Sequence, residues 1–353
     1  MKNIHQLIVK NAKQAEKKIR KDGSMSPGHN GPYKDKETPV RNTSHWLITF
    51  SKAYKITKEK KYRLAVKKLA DYLITISVRP HQASFHHRLS SKKDKCNGLI
   101  GQAWTIEALV EAGKVLKNSK YVKLATEVFL NHKFTAELGL WHRLEINGKT
   151  LSIDATLNHQ IWFAASGTSL KNKAVQSQIR IFMNKLSSNM TILDNGLIFH
   201  PIVSVWQKQT FFFRMKTIIF GNYDKDKINE KLIYKSAGYH AFNMYSLAIL
   251  KTNFFKHKFW NSNNFKLALK YCFGNKHKED LVGNMYGFPY NPIGFEMPLI
   301  IQTFSDLKRK NHEKLSATWI NQQIKSNLKP NEDLETLTAR IYELTRSPNV
   351  SFK

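Results

Sequence analysis

Apolar residues recur at helical spacing in twelve segments of the 353-residue chain, and the connections between these segments alternate between short and long. The short connections follow every second segment: 57–58, 118 and 166–170. The long connections precede those segments: 21–40, 77–98, 134–154, 189–233 and 273–291. Only the last connection, near 327–332, is short and breaks the pattern. If antiparallel helical hairpins close into a ring, all long connections fall at one end, where binding residues usually lie.

The twelve segments pair into six hairpins. The first helices of the hairpins are predicted at 3–20, 59–76, 119–133, 171–188, 256–272 and 310–326, and the second helices at 41–55, 99–117, 155–166, 234–251, 292–306 and 333–347. A repeat at an offset of 59 residues supports this pairing: Ala53-x-Lys55 with Lys61-Tyr62, then Ala112-x-Lys114 with Lys120-Tyr121. We therefore predict an all-α toroid of six helical hairpins, formed by a single domain over 1–353, with a small β excursion around 191–220.

The chain carries 57 Lys and Arg residues against 26 Asp and Glu residues, a formal net charge of +31. Such a surplus attracts anionic partners, and nucleic acid, an anionic membrane and a uronic-acid or sulfated glycan all fit it. A Lys-rich bias of the genome would give the same surplus. The sequence has no recurrent RNA-binding motif, and its aromatic residues concentrate in the long connections. We therefore expect an acidic oligo- or polysaccharide partner rather than nucleic acid.

The cysteine count and the hydropathy of the sequence argue against a disulfide-rich, a zinc-binding and a membrane-spanning protein. Cys96 and Cys272 are too few and too far apart for a disulfide framework or a cysteine-based zinc site. The adjacent His86 and His87 lack the i, i+4 spacing of a helical metal pair, so we expect neither a metal nor a cofactor. Residues 1–21 show no signal-peptide pattern, and no run of about 18 apolar residues could span a bilayer. We expect a soluble, cytoplasmic protein.

The first long connection contains a loop that proline and glycine hold extended. It reads Ser26-Pro27-Gly28-His29-Asn30-Gly31-Pro32-Tyr33. We expect the loop to present three side chains to a substrate: His29, Asn30 and Tyr33. A rigid turn before a helix would use the same prolines and glycines, and this alternative stays open.

A second cluster ends the next long connection and enters the helix predicted at 99–117. Its candidate binding residues are His87, Arg88, Asn97, Gln102 and Trp104. Asn97 is a natural N-cap residue. The N-terminus of a helix also offers N–H donors and a positive dipole end to an anionic group, so this helix start is a candidate anion site.

A third cluster lies around the helix predicted at 155–166. Its candidate catalytic residues are His142, Asp154 and His159, and its candidate binding residues are Trp141, Arg143, Asn158 and Trp162. Burying Asn and His without partners is costly, so a sugar-facing helix start explains these residues better than a core helix does. Capping of the helix is the alternative for Asp154.

Two further clusters enter later helices. The first contributes a candidate binding residue, Tyr239, and a candidate base, His240; the second contributes Tyr286 for binding and Tyr290 and Glu296 for catalysis. A tyrosine face matches the C–H side of a pyranose while its hydroxyl stays hydrated. Complementarity to the helix dipole is the alternative for Glu296. All five clusters lie in long connections or in the helix turns that follow, so they are predicted to surround one mouth.

Three of these strings resemble a known group of proteins: the loop Pro27-Gly28-His29-Asn30-Gly31-Pro32-Tyr33, the helix start Asn97-Gly98-Leu99-Ile100-Gly101-Gln102-Ala103-Trp104, and Asn158-His159-Gln160-x-Trp162-Phe163. They are similar to the six-hairpin glycosidase superfamily, and most similar to the AglQ-type proteins of polysaccharide and glycosylation gene clusters, distant relatives of unsaturated glucuronyl hydrolases. The resemblance covers 24–163 and the stretch 290–296. It implies an (α/α)6 toroid and carbohydrate chemistry. The His-Asp-x-Gly string of the glucuronyl hydrolases is replaced here by Asn97-Gly98, so no catalytic residue is carried over.

Three function classes stay open. A glycoside hydrolase, the leading hypothesis, needs two carboxyl groups beside the scissile bond, and the candidates are Asp154, Glu145 and Glu296. A polysaccharide lyase or uronyl C5-epimerase would use a Tyr or His base and neutralise the uronate with Asn or Arg. A toroid that only binds polyanions is the non-enzymatic alternative.

Overall fold

The computed structural model describes residues 2–90, 92–210, 225–306, 308–327 and 332–353. Six of its helices are outer helices: α1 (Ile4–Glu16), α3 (Lys60–Leu73), α5 (Ser119–Asn131), α7 (Lys173–Asn189), α9 (Asn263–Phe273) and α12 (Arg309–Asn327). Five are inner helices: α2 (Val40–Thr57), α4 (Gly98–Leu116), α6 (Leu157–Gly167), α8 (Lys225–Asn253) and α11 (Ile293–Phe304). The short helices are α10 (Asn275–Asp280), α13 (Leu334–Ala339) and the 3-10 helix Arg340–Arg346, named the closing turn.

The inner elements form a closed ring. Each of α2, α4, α6, α8 and α11 packs against the next, and the closing turn packs against both α11 and α2. Each outer helix precedes its inner partner in the chain, as the hairpin pattern requires. The predicted all-α toroid of six helical hairpins is therefore confirmed.

Burial separates the inner from the outer helices. In α4 sixteen of the 19 residues are buried, whereas in α3 only seven of 14 are. The outer helices are amphipathic and cover the ring, while the inner helices are enclosed on all sides. Small residues allow this close packing at the start of α4, where a Cβ on Gly101 would lie 2.6 Å from the Cys96 carbonyl oxygen.

The main β-structure differs from the prediction. Strands β2 (Phe134–Thr135), β3 (Leu140–Leu144) and β4 (Thr150–Ile153) form an antiparallel sheet in the long connection at 134–154, where no strand was predicted. The excursion predicted around 191–220 contains only isolated bridges, such as Ile192 with Ile198, before a helical stretch at 203–210. Its remaining part, 211–220, lies outside the described residues. Short pairs in tight turns leave little alternation for a sequence pattern to detect.

The two ends of the chain meet. Strand β1 (Lys2–Asn3) pairs antiparallel with β5 (Ser351–Phe352), and the Ile4 amide donates to the Val350 carbonyl oxygen. This pairing fixes α1 against the closing turn. In the ranges that the structure describes, no helix combines the length and the apolar character needed to cross a bilayer.

The fold predicts a large difference between two phenylalanines. Phe163 on α6 is fully buried, and its ring stacks on that of Phe129 at 4.4 Å, whereas Phe255 is 64% exposed. We expect Phe163→Ala to lower the free energy of unfolding by about 3–5 kcal/mol because it leaves a cavity. Phe255→Ala should change it by no more than about 0.5 kcal/mol. Equal midpoint shifts in urea unfolding would contradict this account of the ring.

Candidate functional site

One cavity of about 190 Å³ opens among the starts of the inner helices. Nine of its lining residues are sequence-predicted site residues: Asn30, Tyr33, Arg88, Asn97, Trp104, Asn158, His159, Tyr239 and Tyr290. The other nine are Asp35, Lys93, Ile100, Thr156, His200, Lys235, Phe242, Asn291 and Arg340. The lining therefore comes from the long connections and the helix turns that follow them.

His159 and Asp154 form an oriented pair at the cavity wall. His159 Nδ1 lies 2.8 Å from Asp154 Oδ2, and His159 lines the cavity while Asp154 is buried behind it. A carboxylate can only accept, so Nδ1 carries the proton and donates. His159 Nε2 has no hydrogen-bond partner among the described residues, which leaves it available to a ligand.

Asp154 also joins two inner helices. Its Oδ2 accepts from the Leu99 amide at the N-terminus of α4, and its Oδ1 accepts from the Thr156 amide before α6. Burial alone would raise the pKa of Asp154, but the His159 imidazole, the Leu99 amide and the charge of Arg143 outweigh it and hold the pKa well below its ordinary value. Asp154 therefore stays ionised and acts as an acceptor.

The start of α4 is not free to bind an anion, which corrects the sequence-based expectation. Asp94 accepts from the Gly98 amide and Asp154 accepts from the Leu99 amide, so two carboxylates occupy this helix end. Asn97 stands at the N-cap position with φ of 56° but makes no capping hydrogen bond; instead its side-chain oxygen accepts from Arg88.

A tyrosine network lines the opposite part of the cavity. The hydroxyls of Tyr33 and Tyr239 lie 2.8 Å apart, and burial, together with the neighbouring tyrosines, raises the pKa of Tyr239 well above its ordinary value. The Tyr290 hydroxyl donates to Asn30 Oδ1 at 2.6 Å, and the buried Arg41 donates to the same oxygen. Tyr239 therefore stays a neutral phenol, and the loop at 26–33 positions these hydroxyls through Tyr33 and Asn30.

Several buried polar atoms at the cavity lack a protein partner. Both side-chain polar atoms of Asn158, the Trp104 Nε1 and the His200 Nδ1 make no hydrogen bond with the described residues. All three residues line the cavity, and Asn158 is only 1% exposed. Buried polar groups are normally satisfied, so these atoms are available to hydrogen-bond a polar ligand in the cavity.

His200 was missed by sequence reasoning. Burial lowers the pKa of its imidazole well below the ordinary histidine value, and the nearby charges of Lys235 and His159 lower it further. His200 is therefore neutral at neutral pH. The signal available was a histidine before Pro201 in the longest connection, but the aromatic residues around it favoured a strand.

Besides Asp154, which is buried behind His159, three of the six predicted catalytic side chains lie outside the cavity lining. The His240 ring nitrogens bond the Ala268 oxygen and the Ile198 amide, and those of His142 bond Leu151 and Thr135. Both rings hold the backbone of neighbouring segments.

Glu296, the third of these side chains, lies in a buried cluster. Its carboxylate accepts from Arg340, which also pairs with Glu343 at 2.6 Å. Burial and the neighbouring Glu343 raise the pKa of Glu296 well above its ordinary value. It supports Arg340, which does line the cavity.

Several predicted binding side chains are structural as well. Trp141 and Trp162 are fully buried and donate to Gln178 and to the Phe242 carbonyl oxygen. Gln102 bonds the amide and the carbonyl of Phe85, which fixes the connection above it.

The other predicted binding residues outside the lining lie near its edge or behind it. His87 is buried against Thr105 at 3.2 Å, and Arg143 pairs with Asp94 at 2.8 Å. His29 hydrogen-bonds the Glu332 carbonyl oxygen, and Tyr286 packs against Tyr33 with ring centroids 5.7 Å apart.

Comparisons with known proteins show which sequences and structures this chain is similar to. The chain is 37% identical over 370 residues to "Archaeal glycosylation protein Q" of Haloferax volcanii, covering 98% of each chain. Among solved structures, cellobiose 2-epimerase of Bacillus thermoamylovorans B4167 matches with a TM-score of 0.65 at 12% identity, covering 95% of this chain and 97% of that one. An unsaturated glucuronyl hydrolase specific for heparin matches with a TM-score of 0.58 at 9% identity, covering 97% and 95%. No family model matches the chain. These likenesses confirm the six-hairpin fold.

A comparison of Gly98 with Gly283 distinguishes the cost of backbone strain from the cost of crowding at the site. Gly98 and Gly283 both have positive φ, but a Cβ on Gly98 would lie 2.5 Å from Asp154 Oδ2, whereas one on Gly283 meets nothing within 4 Å. We expect Gly283→Ala to cost about 1–2 kcal/mol of stability. Gly98→Ala should cost about 1–3 kcal/mol more because it crowds Asp154 and His159. Equal costs in denaturant unfolding would show that this pair is not held against Gly98.

Proposed function

This chain belongs to the family of archaeal glycosylation protein Q, and we propose that it is a carbohydrate-processing enzyme that epimerises or isomerises a sugar by proton transfer. One observation carries the proposal: two imidazoles in unlike surroundings, His159 and His200, line the same cavity. The unpartnered polar atoms of Asn158 and Trp104 in that cavity suit the hydroxyl groups of a sugar.

The two histidines suit opposite steps of one reaction. His200 is neutral, so it can take a proton from a carbon next to a carbonyl or carboxylate group. The electron pair of the broken C–H bond moves onto that group as an enolate. His159 donates to the Asp154 carboxylate, which orients the ring at the cavity wall, so His159 can return a proton to the carbon. Pairs of titratable groups with unlike environments are typical of acid and base partners.

Hydrolysis finds less support in this geometry. A hydrolase needs one carboxyl group that can give a proton and a second beside it. Asp154 is held ionised, and neither Glu296 nor Glu145 lines the cavity. Asp35 does line it, but this carboxylate is paired with Lys93 at 2.7 Å. The arrangement therefore favours the Tyr/His-based alternative over the two-carboxylate one.

We further propose that the substrate is an acidic sugar, such as a uronate. The formal net charge of +31 would draw an anionic glycan towards the protein. A carboxylate next to the reacting carbon is also the group that would accept the electron pair in the chemistry above. The same chemistry without proton return to the carbon would be a lyase reaction, so the products distinguish the two.

The proposal predicts exchange of carbon-bound hydrogen. In D2O, wild-type protein should incorporate deuterium into one or more sugars of a panel of uronates, hexoses and uronate-containing disaccharides, detected by NMR with the new epimer. His159→Gln should slow this exchange by about 10²–10⁴-fold because the imidazole that carries the proton is lost. His257→Gln is the matched control, since His257 bonds Asn184 outside the cavity.

Three outcomes would contradict the proposal. New reducing ends without exchange would indicate hydrolysis, and a rise in the ultraviolet absorbance of unsaturated uronates would indicate a lyase. Exchange that proceeds equally in wild type and His159→Gln would remove His159 from the chemistry.

A further inference from the structure

Lys235 on α8 points its ammonium group into an aromatic cage at the cavity. Its Nζ lies 5.0 Å from the ring centroid of Tyr33, 5.7 Å from that of Tyr239 and 5.9 Å from that of Tyr286. Cation–π contacts of this kind attract an ammonium group but supply no hydrogen-bond acceptor along its N–H bonds. In the described part of the chain, no carboxylate lies within ion-pair distance of Lys235.

The other cationic side chains of the cavity lining are already paired. Lys93 contacts both oxygens of Asp35, at 2.7 and 2.8 Å. Arg88 lies 3.6 Å from Asp94, and Arg340 pairs with Glu296 and Glu343. Among the Lys and Arg residues that line the cavity in the described ranges, Lys235 alone has no carboxylate partner.

An enclosed charge without a counterion is unfavourable. Burial, with the charge of Lys93 nearby, lowers the pKa of Lys235 to about 8, so its ammonium group is only partly solvated. An anionic ligand would supply the counterion that the described side chains around Lys235 do not. A lysine that gains its anionic partner only when a ligand binds is therefore expected to have no carboxylate partner within the described part of the protein.

We infer that Lys235 binds the anionic group, carboxylate or phosphate, of the sugar residue that enters this cavity and so selects anionic over neutral sugars. Resting on the proposed function, this inference names the residue that recognises the acid. Asn158 and Trp104, whose polar atoms are unpartnered, bind hydroxyl groups of the same sugar residue. The cavity of about 190 Å³ is below the roughly 300–1,000 Å³ of ordinary ligand pockets, which restricts recognition to a short segment.

Lys235 also has a place in the chemistry. His200 feels the charge of Lys235, so the ammonium group lies close to the proposed base. An anionic group held there would place the carbon beside it next to His200. For a carboxylate, the ammonium group also stabilises the additional negative charge that develops as the C–H bond breaks.

The test measures binding rather than turnover. Calorimetric titrations with D-glucuronate, D-glucose 6-phosphate and D-glucose are compared for wild type, Lys235→Met and Lys256→Met. Lys256 is the matched control because its Nζ also lies over an aromatic ring, that of the exposed Phe255, at 5.6 Å. Both variants remove one positive charge, so a loss confined to Lys235→Met cannot come from net charge.

We expect Lys235→Met to lose about 10- to 100-fold in affinity for the anionic sugar, the range for a hydrogen bond to a charged group. Its affinity for D-glucose should stay unchanged, and Lys256→Met should behave as wild type. The ligand whose affinity falls in Lys235→Met, D-glucuronate or D-glucose 6-phosphate, identifies the anionic group as a carboxylate or a phosphate. An anion preference that survives in Lys235→Met, or the absence of any preference in wild type, would overturn the inference.

Folding and function are checked separately. Removing a half-buried charge that has no carboxylate partner among the described residues should leave the free energy of unfolding of Lys235→Met equal to or above that of wild type. If Lys235→Met does not fold, Lys235→Gln takes its place in the titrations. Deuterium exchange by wild type tests the proposed function independently. If wild type exchanges deuterium and Lys235→Met still prefers anionic sugars, only the role of Lys235 is contradicted. If Lys235→Met loses the preference but wild type shows no exchange, only the proposed reaction is contradicted.

Discussion

Enclosure of the inner helices on all sides is the constraint on which the rest of the structure depends. A helix end normally turns its free N–H and C=O groups towards water, but the starts of α4 and α6 are buried in the ring. Their polar groups must find partners inside the protein. Asp154 meets this need for both helices because it accepts from the Leu99 and Thr156 amides. These two hydrogen bonds also hold the Asp154 carboxylate in the position from which it orients His159.

The same constraint explains two glutamines one repeat apart. Gln102 on α4 bonds the amide and the carbonyl of Phe85, and Gln160 on α6 bonds the amide and the carbonyl of Trp141. Each therefore ties the backbone of the long connection before its inner helix to that helix. The sequence presented Gln102 as a sugar ligand because a buried amide needs partners, but here the partners are backbone groups. Where partners are missing, as at Asn158, the group faces the cavity instead.

The alternation of short and long connections was enough to predict the hairpins, their order and the common mouth, because all three follow from the helical period and the lengths of the connections. It could not predict which polar residues of a helix start face the cavity. His159 and His240 occupy similar positions in the chain pattern, yet one lines the cavity and the other bonds the Ala268 oxygen. That difference depends on the rotation of each helix within the ring, and the contribution of Arg340 depends on ring closure between distant segments. Neither leaves a local signal in the sequence.

Net charge and local charge have different consequences for a protein of this kind. Most of the lysines are exposed, and salt screens exposed charges beyond about 8 Å at physiological ionic strength, so the surplus mainly speeds the approach of an anionic glycan. Discrimination requires a charge that water does not already satisfy, because only then does a neutral ligand leave it unpaired. Around the cavity, Asp35 pairs with Lys93, Asp94 with Arg88 and Glu343 with Arg340, so these cations already have carboxylate partners. The selection between acidic and neutral sugars that we propose therefore depends on Lys235, which contacts tyrosine rings and has no carboxylate partner among the described residues.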